Sequence, residues 1–123
     1  GAYKDIIKKV VRFMVKKGCS PKNITAAIGP CISQKKYEIK QDFIIKFIKK
    51  DNKNKIFFKR IGNKNFFSLN KYIHSQLKSL DIKKIDIIYK DTFDIKNNFF
   101  SARRSIVRNE TDYGRNISII MIN

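Results

Sequence analysis

The segment NNFFSARRSIVRNETDYGR, residues 97–115, lies between two predicted strands, and the rest of the chain is arranged around it. It holds four of the six arginines of the sequence, with Arg103 and Arg104 adjacent and Arg115 at its end. Guanidinium groups are planar, permanently charged and suited to bidentate binding of phosphate or carboxylate. The segment therefore predicts an anion site. The alternative is that its arginines are solvated and its phenylalanines belong to an ordinary core.

The segments on either side of the arginines have strand character. Residues 82–89 and 117–122 are rich in isoleucine and predict two strands, whereas the arginine segment between them is mostly loop by composition. Asp91 and Thr92 follow the first strand, at the position where open α/β sheets face their ligands. A simple turn cap is the alternative for this pair.

Toward the N-terminus, helix and strand patterns alternate. Apolar residues at three- and four-residue spacing predict helices over residues 3–17, 41–50 and 69–80, the first ended by Gly18 and the last capped by Ser68. Residues 56–61 and 66–67 predict a hairpin that turns at Gly62, and residues 51–55 a polar, flexible break. The alternation predicts a mixed α/β or α+β fold.

A short buried strand is predicted over residues 24–28, and it leads directly into Gly29, Pro30 and Cys31. A Gly-Pro pair after a strand forces a sharp bend, and the small side chains allow another group to approach the backbone closely. Cys31 has no second ligand or base near it in sequence, so a structural thiol is favoured over a nucleophile.

The formal net charge of +18 raises the possibility of a nucleic-acid partner. The charge comes from 22 Lys against six Arg, beside 22 Ile and 11 Asn, a profile expected from an AT-rich genome. Because the lysines are spread along the chain, a diffuse solvated surface is favoured over a nucleic-acid interface. A small basic nucleic-acid-binding module remains the alternative.

Length and cysteine content further restrict the class of protein to which the chain can belong. The 123 residues are enough for a single domain with a core, and no apolar run is long enough for a membrane span. Cys19 and Cys31 lack CxxC spacing, which predicts reduced thiols in a cytoplasmic protein. His74 is the only histidine and is predicted to lie at the surface or at the boundary of the core, so no metal site is predicted. The chain begins Gly-Ala and enters a helical pattern at once, which is typical of a fragment.

Three spaced signatures together resemble the C-terminal half of the YfiH family, which is also described as laccase-like polyphenol oxidoreductases. The signatures are AAIGPCI at residues 26–32 with Tyr37 and Glu38, NFFSARR at 98–104, and DYGR at 112–115 before the last apolar segment. The resemblance covers essentially the whole chain. It implies that residues 1–123 are the C-terminal portion of one longer domain, a layered sandwich of sheet and helices.

The family has been called a peptidoglycan editing factor and a zinc-dependent purine nucleoside phosphorylase with adenosine deaminase activity. The resemblance implies that this chain forms one wall of a pocket for a purine nucleoside and phosphate. Arg103 and Arg104 would bind the phosphate or another substrate anion, Arg115 would support them, and Gly29 and Cys31 would shape the pocket. The zinc ligands, two histidines and a cysteine, would lie in the N-terminal half. We therefore expect no catalytic or metal-binding residue and no activity in this chain alone, or a non-catalytic interaction domain that needs its N-terminal partner.

Overall fold

Within residues 2–122, which the computed structural model describes, α-helices and β-strands alternate along the chain. The helices are α1 (Ile6–Lys16), α2 (Gln41–Lys50), α3 (Leu69–Ser79) and α4 (Ala102–Val107). The strands are β1 (Thr25–Ile28), β2 (Glu38–Ile39), β3 (Phe58–Ile61), β4 (Lys64–Phe67) and β5 (Lys84–Ile87). Short 3-10 helices occupy several of the connections. The predicted mixed α/β class is confirmed.

Two small sheets organise the strands. β1 pairs in parallel with β5, with Ala26 opposite Ile85, whereas β4 lies between β2 and β3 in an antiparallel sheet. Parallel strands need a long crossover connection, and here α2, the antiparallel sheet and α3 all lie between β1 and β5. The carboxyl ends of β1 and β5 therefore lie side by side, and they position the candidate site.

An aromatic core joins α2 to the antiparallel sheet. Phe43 and Phe47 lie four residues apart on α2 and so share one face of the helix. Phe47 and Phe67 are fully buried with ring centroids 5.1 Å apart, and Phe43 stacks on Phe47 at 4.6 Å. Tyr72 of α3 packs edge-on against Phe47 at 5.1 Å. This core fixes both helices against the sheet.

A second, aliphatic core lies between α1, α3 and the parallel strands. Its buried members are Val11, Ile24, Ile28, Leu77 and Ile82. α3 contributes Leu77 to this core and Tyr72 to the aromatic one, so the helix connects the two. Because Ile28 ends β1 and Ile82 precedes β5, the aliphatic core stabilises the strand pair whose carboxyl ends carry the site.

The structure confirms most of the predicted elements. α2 has the predicted bounds, and α1 is followed by Gly18, whose φ of +98° suits glycine at a helix end. The hairpin turns at Gly62, where φ is +60°. The two strands predicted at residues 24–28 and 82–89 are present as β1 and β5, each shorter than predicted.

The flexible break predicted at residues 51–55 is wrong. A 3-10 helix spans Asn52–Phe57, and Asp51 begins it by accepting a hydrogen bond from the Lys53 N–H at 2.9 Å. The buried Asn54 side chain donates to the Phe47 carbonyl at 2.8 Å, an oxygen near the end of α2 that also accepts from the Asp51 N–H at 3.1 Å. Polar side chains therefore order this connection by bonding to the backbone.

Around the arginine segment one prediction is confirmed and one is wrong. The segment is mostly loop, as predicted, but it also contains the short helix α4, whose first turn is capped by Ser101 Oγ accepting from the Arg104 N–H at 3.3 Å. Residues 117–122 pair with none of the described strands, and Ile117 is 84% exposed. A strand needs a neighbour to satisfy its backbone N–H and C=O groups, so isoleucine content alone does not make one.

No helix in the described range 2–122 has the length and apolar character needed to cross a membrane. Both cysteines are free thiols, Cys19 exposed and Cys31 half-buried. His74 is half-buried on α3.

Candidate functional site

A cavity of about 710 Å³ opens at the carboxyl ends of the parallel strands. Cys31 follows β1 and Asp91 follows β5, and the two residues extend the parallel pairing as an isolated bridge. The Cys31 N–H donates to the Lys90 carbonyl at 3.2 Å, and the Thr92 N–H donates to the Cys31 carbonyl at 3.2 Å. Open α/β sheets bind ligands at this edge, so the cavity is the candidate functional site.

Asp91 connects the two loops that leave the parallel strands. Its Oδ1 accepts from the Ser33 N–H at 3.1 Å and the Phe93 N–H at 2.8 Å, and its Oδ2 accepts from Ser33 Oγ at 2.5 Å. Burial acts to raise the pKa of Asp91, but these hydrogen bonds and the nearby Lys35 outweigh it and lower that pKa below its ordinary value of 3.8. Asp91 is therefore an ionised turn cap whose two oxygens are already bonded.

The Cys31 thiol is poorly suited to act as a nucleophile. Burial, reinforced by the Asp91 carboxylate, raises the pKa of Cys31 above its ordinary value of 9.0. The thiol is consequently protonated at neutral pH, and a thiol attacks far more slowly than a thiolate. Cys31 lines the cavity as a small apolar side chain.

Arg104 lines the cavity and binds the loop that follows β5. Its two terminal nitrogens donate to the carbonyls of Thr92 and Phe93 at 3.0 Å each and of Phe99 at 2.7 Å. The Asn97 side chain donates to the Asp91 carbonyl at 2.9 Å and closes the same loop. Since a guanidinium has five N–H groups, three bonds to main-chain carbonyls leave Arg104 with two donors for other contacts.

Arg103 and Arg115 lie outside the residues that line this cavity. Arg103 donates to the Glu38 carbonyl at 2.9 Å and lies 5.4 Å from the centroid of the Tyr37 ring. Arg115 donates to the Tyr113 carbonyl at 3.0 Å, over the ring of that tyrosine. Of the predicted site residues, the structure thus brings Arg104, Cys31 and Asp91 to the cavity wall. The predicted binding roles of all these residues stay predictions.

The close approach predicted at Gly29 occurs at a different glycine. A Cβ at Gly29 would meet only Ser118 Oγ, at an ordinary contact distance of 3.9 Å, and Gly29 does not line the cavity. A Cβ at Gly114 would overlap the ring of Phe100. The Asn116 side chain bonds to both backbone groups of Phe100, accepting from its N–H at 2.9 Å and donating to its carbonyl at 2.8 Å. Gly114 therefore lets the segment after α4 pack under Phe100.

Sequence reasoning missed most of the positive charge at the cavity. Besides Arg104, the lining cations are Lys35, Lys36, Lys90, Lys96 and Arg108. The lysines come from two loops that are distant in sequence, and parallel pairing of β1 with β5 brings them together. Sequence could have indicated this cluster in one way only: residues that follow two parallel strands lie at the same edge of the sheet, so the lysines after β1 and β5 had to lie near each other.

The described residues do not fit a zinc ion. Among residues 2–122, no three His, Cys, Asp or Glu side chains are grouped closely enough to bind a metal. His74 lies on α3, Cys19 follows α1 at the surface, and Cys31 is beside a carboxylate that is already bonded. No step of a reaction is therefore assigned to a metal bound by this chain.

Comparison with known proteins identifies relatives of the chain. A family model described as multi-copper polyphenol oxidoreductase laccase matches residues 1–123. A protein of Rickettsia conorii named as a purine nucleoside phosphorylase is 34% identical over 119 residues, covering 95% of this chain and 48% of the relative. One of the same name from Rickettsia prowazekii is 35% identical over 107 residues, covering 85% of this chain and 44% of the relative. The chain spans about half the length of these curated relatives.

Proposed function

This chain belongs to the multi-copper polyphenol oxidoreductase laccase family, and on that premise we propose that it forms one wall of the active site of a purine nucleoside phosphorylase. We propose further that residues 1–123 are the C-terminal portion of a longer cytoplasmic domain. The observation that carries the proposal is the cation-lined cavity of about 710 Å³ at the edge of the parallel sheet. Its volume lies within the roughly 300–1,000 Å³ of small-molecule sites.

Phosphorolysis explains why such a wall should be positive. A phosphate oxygen attacks the anomeric carbon of the ribose, the N-glycosidic bond breaks, and the purine leaves as ribose 1-phosphate forms. Attack requires the phosphate to be placed against the anomeric carbon, and fixed cations can provide that placement. Arg104 and Cys31 line this wall, whereas Arg103, Arg115 and Gly29 lie outside the residues that line the cavity.

Exposed apolar surface supports the proposal of a missing half. Ile117 is 84% exposed and Met121 80%, and the outer face of α1 exposes Phe13 at 61%. Exposed apolar residues that cluster in one segment, as they do within residues 117–122, mark a surface that another segment covers. We assign that segment to the N-terminal half that the family resemblance implies for the complete domain. The same half would bind the zinc ion and supply any adenosine deaminase activity, so this chain alone is expected to be inactive.

The proposal is tested by comparing this chain with a version extended at its N-terminus to the length of its relatives. We expect the extended protein to convert inosine to hypoxanthine and ribose 1-phosphate only when phosphate is present, and the 123-residue chain to convert neither inosine nor adenosine. Chromatography of the products distinguishes phosphorolysis from hydrolysis. Cleavage by the extended protein that yields free ribose regardless of phosphate would overturn the proposal.

The net charge of +18 keeps nucleic-acid binding as the competing function. That function requires oligonucleotide affinity that falls steeply with salt, because bound lysines displace counterions from the phosphates. We expect a fluorescence titration at low salt to show no specific binding. A salt-dependent complex that competes with purine nucleoside would favour the nucleic-acid function instead.

A further inference from the structure

The cavity carries positive charge that its own carboxylates do not neutralise. Asp91 and Asp94 are the acidic residues that line it. Asp91 already accepts three hydrogen bonds, and Asp94 accepts from the Lys96 N–H at 3.0 Å. The ion pairs found within residues 2–122 are Lys50 with Asp5 and Lys64 with Glu38, and neither pair involves a cavity cation. An anion from outside is the natural counterpart of such a wall.

The two arginines at the cavity differ in how many guanidinium N–H groups remain available to a ligand. Arg104 gives three donors to main-chain carbonyls, whereas the Arg108 side chain makes no hydrogen bond to any of residues 2–122. Arg108 comes four residues later, at the C-cap of α4, and four residues is about one helical turn, so both arginines face the cavity. Arg108 is the exposed member of the pair, and its guanidinium N–H groups are available to a ligand.

We propose that this cavity binds a phosphate group, with Arg108 as the principal contact, Lys35 and Lys90 as supporting charges, and Arg104 as a positioning residue. The ligand is orthophosphate or the phosphate ester of a nucleoside, since both present the same oxygens to a guanidinium fork. The inference rests on the proposed function for the identity of the cavity. It moves the anion contact from the adjacent pair of arginines to a residue that the sequence did not single out.

The test is a titration of the 123-residue protein with orthophosphate, followed by amide chemical shifts at constant ionic strength, with chloride as the reference anion. We expect saturable shifts in the loops after β1 and β5, and binding at least about tenfold weaker, roughly 1.4 kcal/mol, in Arg108→Gln. Arg12→Gln is the matched control, because Arg12 is an exposed arginine on α1 outside the cavity. Equal weakening in both variants would show only diffuse attraction by a basic protein and would overturn the proposal.

A second arm identifies the source of the phosphate group. Orthophosphate and adenosine 5′-monophosphate are titrated separately, with adenosine as the uncharged reference, and the tighter of the two phosphates names the ligand. Saturable binding of neither phosphate would overturn the inference. If phosphate binds through Arg108 but the extended protein cleaves no nucleoside, the proposed function fails while the anion site stands, so the two failures are distinguishable.

Discussion

Replacing Arg104 with glutamine removes a guanidinium that ties the loop after β5 to α4. The side chain donates to three carbonyls, at 3.0, 3.0 and 2.7 Å, and it is half-buried. A hydrogen bond with a charged partner contributes about 1.5–3 kcal/mol. Three bonds from one partly solvated side chain are not additive, so we expect the free energy of unfolding to fall by about 2–4 kcal/mol.

Urea denaturation of the 123-residue protein measures this loss as a lower midpoint at an unchanged m-value. Arg104→Lys should fall between the wild type and the glutamine variant, because an ammonium group keeps the charge but cannot reach three carbonyls as a planar fork does. Arg115→Gln is the control, since Arg115 is exposed and its side chain donates, among residues 2–122, only to the Tyr113 carbonyl. It should change stability by less than about 0.5 kcal/mol.

Hydrogen exchange locates the effect within the molecule. The amides of Phe93 and Asn97, which bond to Asp91 and Asp94, should lose protection in Arg104→Gln before the amides of α2 do. A loss in Arg104→Gln no larger than in Arg115→Gln, with loop protection intact, would refute the positioning role.

Three further results are expected. Asp91 should stabilise the folded state less as the pH falls, because its pKa is lower in the folded chain than in the unfolded one. This stabilisation is complete above the unfolded value of 3.8 and is lost as the pH drops through the folded-state pKa. Asp91→Asn should therefore make the free energy of unfolding less dependent on pH in the acid range, and an unchanged dependence would contradict this role. Gly114→Ala should cost about 1 kcal/mol by overlap with the Phe100 ring, and a double-mutant cycle should show no cost in a Phe100→Ala background. Elemental analysis of the 123-residue protein should find no stoichiometric zinc, whereas one tightly bound zinc per chain would show that this chain holds the ligands.

Sequence periodicity predicted those parts of the fold in which burial alone selects the structure. The apolar stripe of α2 has no competing pattern, and glycine at positions 18 and 62 marks backbone conformations that favour it. Periodicity failed at Asn54, where a single side-chain amide orders a polar connection. It also failed at Ile117 to Ile122, because strand formation depends on a pairing partner that the pattern of one segment does not contain.

The site was only partly predictable for a related reason. A pair of arginines in a sequence predicts anion binding, but the sequence does not show whether the side chains are available to a ligand. Here Arg103 and Arg104 both donate to main-chain carbonyls. Arg108 is an arginine of the same segment, but it lines the cavity and its side chain makes no hydrogen bond within residues 2–122. Only the direction of each side chain on α4 separates these roles, and that direction depends on how the loop after β5 closes.

The phosphate dependence of inosine cleavage by the extended protein tests the central claim most directly. If this chain supplies the phosphate-binding wall, Arg108→Gln should raise the KM for phosphate about tenfold or more and leave the KM for inosine nearly unchanged, with Arg12→Gln behaving as wild type. An unchanged KM for phosphate in Arg108→Gln would contradict the account, because the anion would then be bound elsewhere in the protein.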